Sequence, residues 1–170
     1  LAAAGPAGGK NCVVHKGYSR FLAGRHDVLI NCVGVGTGAK LRGDYTKWFT
    51  VSEEYDNLAL SCLKSRPAGA LYISFSSGAV YGRRFSAPAG KNTANLLKVN
   101  NISSADYYGI ARLNSEAKHR SFSGLNIVDL RVFSYFSRHI DLSDGYFMSE
   151  LVNAALREGL RFLHGRLSTS

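Results

Sequence analysis

Three apolar runs, each cut off by glycine or serine, constrain the fold more than any other feature: DVLINCVGVG (27–36), ALYISFSSGAVYG (70–82) and LNIVDLRVFSYF (125–136). The continuous run Val28–Val33 predicts a strand buried on both faces, as in a parallel sheet. Glycines follow it at once, so the chain turns sharply at the strand's C-terminal end. ALYISFSS (70–77) predicts a second buried strand that runs into the turn GAVYG, and 125–136 a third.

Between the runs the period changes. SEEYDNLALSCLKS (52–65) places Tyr55, Leu58, Ala59, Cys62 and Leu63 at helical spacing. Ser52 is the expected cap, Glu53 and Glu54 suit the positive end of the helix dipole, and Pro67 and Gly69 end the helix. A second helix is predicted over 105–122, with Asp106 near its start, an apolar stripe of Ile110, Leu113 and Ala117, and Gly124 as its stop. A third covers 146–158. Residues 83–104 read as a loop with a short helix at most, and residues 1–24 as irregular, with a short strand or turn at Asn11–His15. Alternation of strand and helix argues right-handed crossovers and a parallel sheet with helices on its faces. The expected fold class is α/β, one Rossmann-like domain over 1–170. In such sheets ligands bind past the C-terminal strand ends. The glycines after Val33, the serines after Phe75 and the turn after Val132 all fall there.

Composition narrows the function. The net charge is +9, but the positive residues are scattered, and the densest groups are only Arg83-Arg84 and Lys118-His119-Arg120. A basic soluble surface is expected. Nucleic acid is not an expected partner, because the chain has no recognisable reading motif or aromatic-basic stripe. Arg83-Arg84 reads as a phosphate-facing pair or as part of a solvated loop. Cys12, Cys32 and Cys62 contain no C-x-x-C pair and read as neither a disulfide framework nor a zinc site; Cys32 and Cys62 are expected to be buried. A reducing, cytoplasmic setting follows. The opening LAAAGPAGGKNCVVHKGYSR has no long apolar core, so a signal peptide is not expected, nor is a membrane span. The histidines show no ligand spacing, so no metal is expected, and Tyr135 and Phe136 are expected in the core.

YYGIARLNSEAKHR (107–120) carries the chemistry. Tyr108 and Arg112 stand four apart on one helical face. A phenol with its ordinary pKa of about 10 is a poor base at neutral pH, and a fixed cation nearby favours the phenolate. Ser76 and Ser77, at the end of the neighbouring strand, supply a hydroxyl to hold a substrate oxygen.

SSGAVYG (76–82) followed by YYGIARLNSEAKHR resembles the extended short-chain dehydrogenase/reductase family. More narrowly, it is similar to the NAD-dependent epimerase/dehydratase group acting on nucleotide sugars. NCVG (31–34) resembles that family's cofactor-side turn and LNIVDLRVFSYFSR (125–138) its following strand; the similarity covers roughly residues 24–155. The resemblance implies that Ser77 hydrogen-bonds the substrate oxygen and Tyr108 is the general acid/base. Arg112 stands where the family has a lysine that binds the nicotinamide ribose. Asn31, Gly34, Val35, Gly36 and Ser76, with Tyr108 and Arg112, would line NAD or NADP. The implied partners are a nucleotide-sugar substrate and a second copy of the chain, packed through helices 52–65 and 105–122.

Two departures from the family pattern stand out. Arginine replaces lysine: the charge is kept, but a bulkier planar fork takes the ribose-contacting position, which implies lowered activity. The glycine-rich G-x-x-G-x-x-G βαβ opening is also missing. GPAGGK (5–10) follows no strand and misses the Walker A spacing, and GVGTGAK (34–40) lacks the adjacent Gly-Lys. The expected protein is thus a domain truncated at both ends. Its strand at 27–33 would be an exposed apolar edge, and the chain is expected to self-associate or be marginally stable. The alternative is a non-catalytic remnant or basic binding module of the same fold.

Overall fold

Val28–Asn31 (β1), Leu71–Ser77 (β2) and Asn126–Val132 (β3) form one parallel sheet in the order β1-β2-β3. They do so in a computed structural model that describes residues 13, 21, 24, 26–36, 38–66, 69–82, 87–143 and 145–158. The helices are α1 (Gly38–Leu41), α2 (Lys47–Lys64), α3 (Ser104–Arg120) and α4 (Phe147–Glu158), with 3-10 turns at Gly78–Tyr81 and Val99–Asn101. This is an α/β, Rossmann-like arrangement, as the alternation of runs predicts. Arg83-Arg84, GPAGGK and the turn at Asn11–His15, Val13 apart, lie outside the described residues.

Register places Leu29, Tyr72 and Ile127 side by side on one rung, and Ile30, Ile73 and Val128 on the next. Side chains alternate along a strand, so these rungs face opposite ways. The Leu29 face is covered by α2 and α3. Its core is Leu29, Ala59, Leu60, Cys62, Leu63 and Tyr72, with Phe122, Leu125 and Ile127 packed against it. Burying a leucine this way contributes roughly 1.5–3 kcal/mol. The opposite face corrects the expectation of strands buried on both sides. Ile30 is 57% exposed, and Val28, Val128 and Leu130 are exposed with it. Among the described residues β1 pairs with β2 alone, which leaves it at the sheet's edge.

Helix α2 begins before Ser52, which therefore lies inside it and not at its cap. The added turn is aromatic. Tyr45 stacks on Trp48 at 5.2 Å, and Phe49 meets Tyr107 of α3 at 6.1 Å. Contacts to a helix distant in sequence extend α2, which a local reading of its start does not detect. Helix α3 starts as a capping box: the Asp106 carboxylate accepts from the Ser103 N–H at 3.0 Å and from its hydroxyl at 2.9 Å.

The stripe predicted for α3 is also corrected. Its buried residues are Gly109, Ala111, Ser115, Glu116 and His119, while Ile110 and Leu113 are half-buried and Ala117 is exposed. The helix presents polar groups to the sheet because the sheet answers with charges of its own. Cys62 is buried as expected; Cys32 is exposed, because β1 ends one residue earlier. Tyr135 and Phe136, expected in the core, are exposed beyond the end of β3. Among the described residues no helix is long and apolar enough to cross a membrane.

Candidate functional site

The turns after β1 and β2 meet the first half of α3, and the turn after β3 packs on the second of them. After β2, Ser77 is extended, and its Oγ accepts the Ala79 N–H at 3.2 Å, capping the 3-10 turn. That bond leaves the Ser77 O–H available as a donor. The turn then presses on its neighbours. A Cβ built on Gly78 would lie 2.4 Å from the Phe133 ring after β3, and one on Gly109 of α3 would lie 2.5 Å from the Ala79 carbonyl oxygen. Glycine at 109 therefore lets the helix approach the turn more closely than any other residue would allow, directly beside Tyr108.

After β1, Gly34 is exposed, and the nearest atom to a Cβ placed there would be Nη2 of Arg112 at 3.5 Å. Val35 is half-buried, and Gly36 has φ +75° with the Lys40 side chain folded beside it. Asn31 shapes this turn. Its Nδ2 donates to the Tyr72 hydroxyl at 3.0 Å, and its Oδ1 accepts the Val33 N–H at 2.9 Å.

Tyr108 is half-buried against Trp48, with ring centroids 5.7 Å apart, and the Arg112 guanidinium carbon lies 5.4 Å from the Tyr108 ring centre. That is cation–π range. Tyr146, just ahead of α4, joins them: burial, then the neighbouring Tyr108, pushes its phenol up, while Arg112 opposes the shift. Gly34, Tyr108, Arg112 and Tyr146 thus share one locality, with the Ser77 turn against the same stretch of helix. Ser76 is placed differently. It is buried, and its hydroxyl donates to Glu116 at 2.6 Å between sheet and helix.

Sequence reasoning missed the network beneath this locality. Glu116, fully buried, accepts from Arg131 Nε at 2.8 Å and Nη2 at 2.5 Å, and from Arg120 Nη2 at 2.7 Å. Burial pushes its carboxyl up, but the hydrogen bonds from Arg131 and Ser76 and the two arginine charges outweigh that and hold it below the usual range. Arg131 also lies 4.8 Å from the Tyr81 ring centre and donates to the Tyr81 hydroxyl. A signal was present: Tyr108, Arg112 and Glu116 recur every four residues, and Asp129 and Arg131 interrupt an apolar strand on one face.

A second network surrounds His119, one of the histidines that show no ligand spacing in the sequence. Its Nε2 lies 2.7 Å from Asp56 and its Nδ1 2.6 Å from Asp129. Asp56 also accepts the Tyr72 hydroxyl at 2.8 Å and pairs with Lys118 at 2.5 Å. The carboxylates approach opposite ring nitrogens, so the three groups do not converge on a metal position. The positive group Lys118-His119-Arg120 is turned inward onto Asp56, Asp129 and Glu116, which makes it no free basic patch.

No model of a known protein family matches the chain, and no curated protein matches it. The architecture and the site geometry therefore carry the functional reading.

Proposed function

We propose that the chain is an NAD(P)-dependent epimerase, dehydratase or reductase domain acting on a nucleotide sugar. One observation carries this reading: the turns after β1 and β2 close on the Tyr108–Arg112 stretch of α3, with Gly34 against Arg112 and the Ser77 turn against Gly109, and Phe133 after β3 packs on Gly78 of the latter turn. The residues suit a dinucleotide. Gly34 is exposed, and among the described residues only Arg112 comes within 4 Å of where a side chain would begin, which leaves its backbone accessible to a flat ring.

In this reading Asn31, Gly34, Val35 and Gly36 hold the nicotinamide side. Bound NAD(P) supplies the hydride acceptor for a sugar carbon. The Ser77 O–H donates to the sugar oxygen and fixes its position. Tyr108 takes the proton from that oxygen. Arg112 keeps a positive charge beside Tyr108 and contacts the ribose less well than a lysine. Ser76, engaged with Glu116, holds the end of β2 rather than the ligand.

The test is titration with NADH followed by nicotinamide fluorescence, with Tyr108→Phe and Arg112→Lys alongside. Saturable binding that tightens in Arg112→Lys is expected, with sugar-nucleotide turnover abolished in Tyr108→Phe. No binding at millimolar NADH would overturn the reading and leave a non-catalytic module of this fold.

A further inference from the structure

Among the described residues, one polar chain, buried at His119, Asp56 and Tyr72, links the far side of the domain to the candidate cofactor turn. It starts at Asp129 on β3 and runs through His119 of α3 to Asp56 of α2. It continues through the Tyr72 hydroxyl on β2 to Asn31 at the end of β1, which holds the Val33 N–H. The successive separations are 2.6, 2.7, 2.8, 3.0 and 2.9 Å. Every donor has a fixed direction. Asn31 donates to Tyr72, so the phenol must donate onward to Asp56. Both imidazole nitrogens face carboxylate oxygens, so both must carry protons, and the ring is a cation.

We propose that His119 is a positioning residue for the Asn31–Gly36 turn, and that losing its proton releases Asn31 and loosens that turn. The charges support this. Asp56 and Asp129 are matched by His119 and Lys118, and the Tyr72 ring lies edge-on to the imidazole at 5.5 Å. Deprotonation would turn one ring nitrogen into an acceptor facing a carboxylate. Asp56 or Asp129 would then have to move away, and Asp56 is the group that holds Tyr72. Burial disfavours the charged ring, but the hydrogen bonds it donates to Asp129 and Asp56 prevail and raise the His119 value to about 9, so the chain of bonds is intact at neutral pH.

The test is a proton–nitrogen NMR titration of the whole chain across that value. The Asn31 side-chain amide and the Val33 backbone amide are expected to shift with the same midpoint as the His119 ring. The Gly82 amide, bonded to the Ala79 carbonyl at 3.0 Å, is expected to stay in place, which separates a local effect from unfolding. In Tyr72→Phe the ring should still titrate while Asn31 and Val33 stop following it. In His119→Gln both should hold their high-pH positions at neutral pH. Asn31 and Val33 signals indifferent to the His119 titration, or still following it in Tyr72→Phe, would overturn the proposal. None of these readouts needs a cofactor, so they stand apart from the nicotinamide reading. Only the accompanying expectation, that NADH affinity falls several-fold through the same midpoint, rests on that reading.

Discussion

The two faces of the sheet both carry apolar side chains, but only the covered one also carries buried charges. Beside the Leu29, Leu60 and Tyr72 core, the face covered by α2 and α3 holds Asp56, His119, Glu116, Asp129 and Arg131, while the face left open among the described residues carries Val28, Ile30, Val128 and Leu130. Burial therefore follows the helices as well as hydrophobicity. The covered face tolerates charges because each has an opposite partner within hydrogen-bond distance. Its cohesion is then conditional, since removing one partner strands another in a dry place. The open face has no such dependence.

The largest test of this contrast is Glu116→Ala. It leaves Arg131 and Ser76 without their shared acceptor, and a loss of about 3–5 kcal/mol is expected in denaturant unfolding. A loss below about 1 kcal/mol would mean that water takes the place of the carboxylate and the face is not dry.

A smaller effect is expected from pH. His119 is held above its ordinary 6.5, at about 9. A raised folded value means the stabilisation is fully present below about 6.5 and is lost as pH rises through about 9. Unfolding free energy should fall across that window, by an amount of order 3 kcal/mol at most, and melting temperature with it. In His119→Gln the slope should vanish. On the acid side the sign reverses: Asp56 is held below its usual value, against its burial, by His119, Lys118 and Tyr72, so its contribution disappears as pH falls through that lowered value.

The smallest effect should come from the open face. Ile30→Thr is expected to change stability by no more than about 0.5 kcal/mol, as exposed substitutions do. A loss of several times that, measured the same way, would show that the open face is covered in solution and would end the contrast.

The parallel order and the strand-end turns were legible because strand and helix periods differ and glycines punctuate them. Tyr108, Arg112 and Ser77 were legible for the same local reason: four residues make one helical turn, and a serine after an apolar run sits at a strand end. Glu116 and His119 were not. A polar residue within a helical repeat reads as solvent-facing unless its partner is known, and their partners lie in β2, β3 and α2. The start of α2 was misplaced because Trp48 and Phe49 are held by Tyr108 and Tyr107 of α3.

By itself, then, the sequence determined an α/β chain with three parallel strands and a tyrosine–arginine pair beside their C-terminal ends. The tertiary structure alone decided which sheet face is covered, that Ser76 belongs to Glu116, and that His119 is a buried cation between two aspartates. The division has a physical cause. Periodicity and turn chemistry act over a few residues, whereas the pairing of buried charges joins positions as far apart as Asp56 and His119, and only folding brings such groups within hydrogen-bond reach.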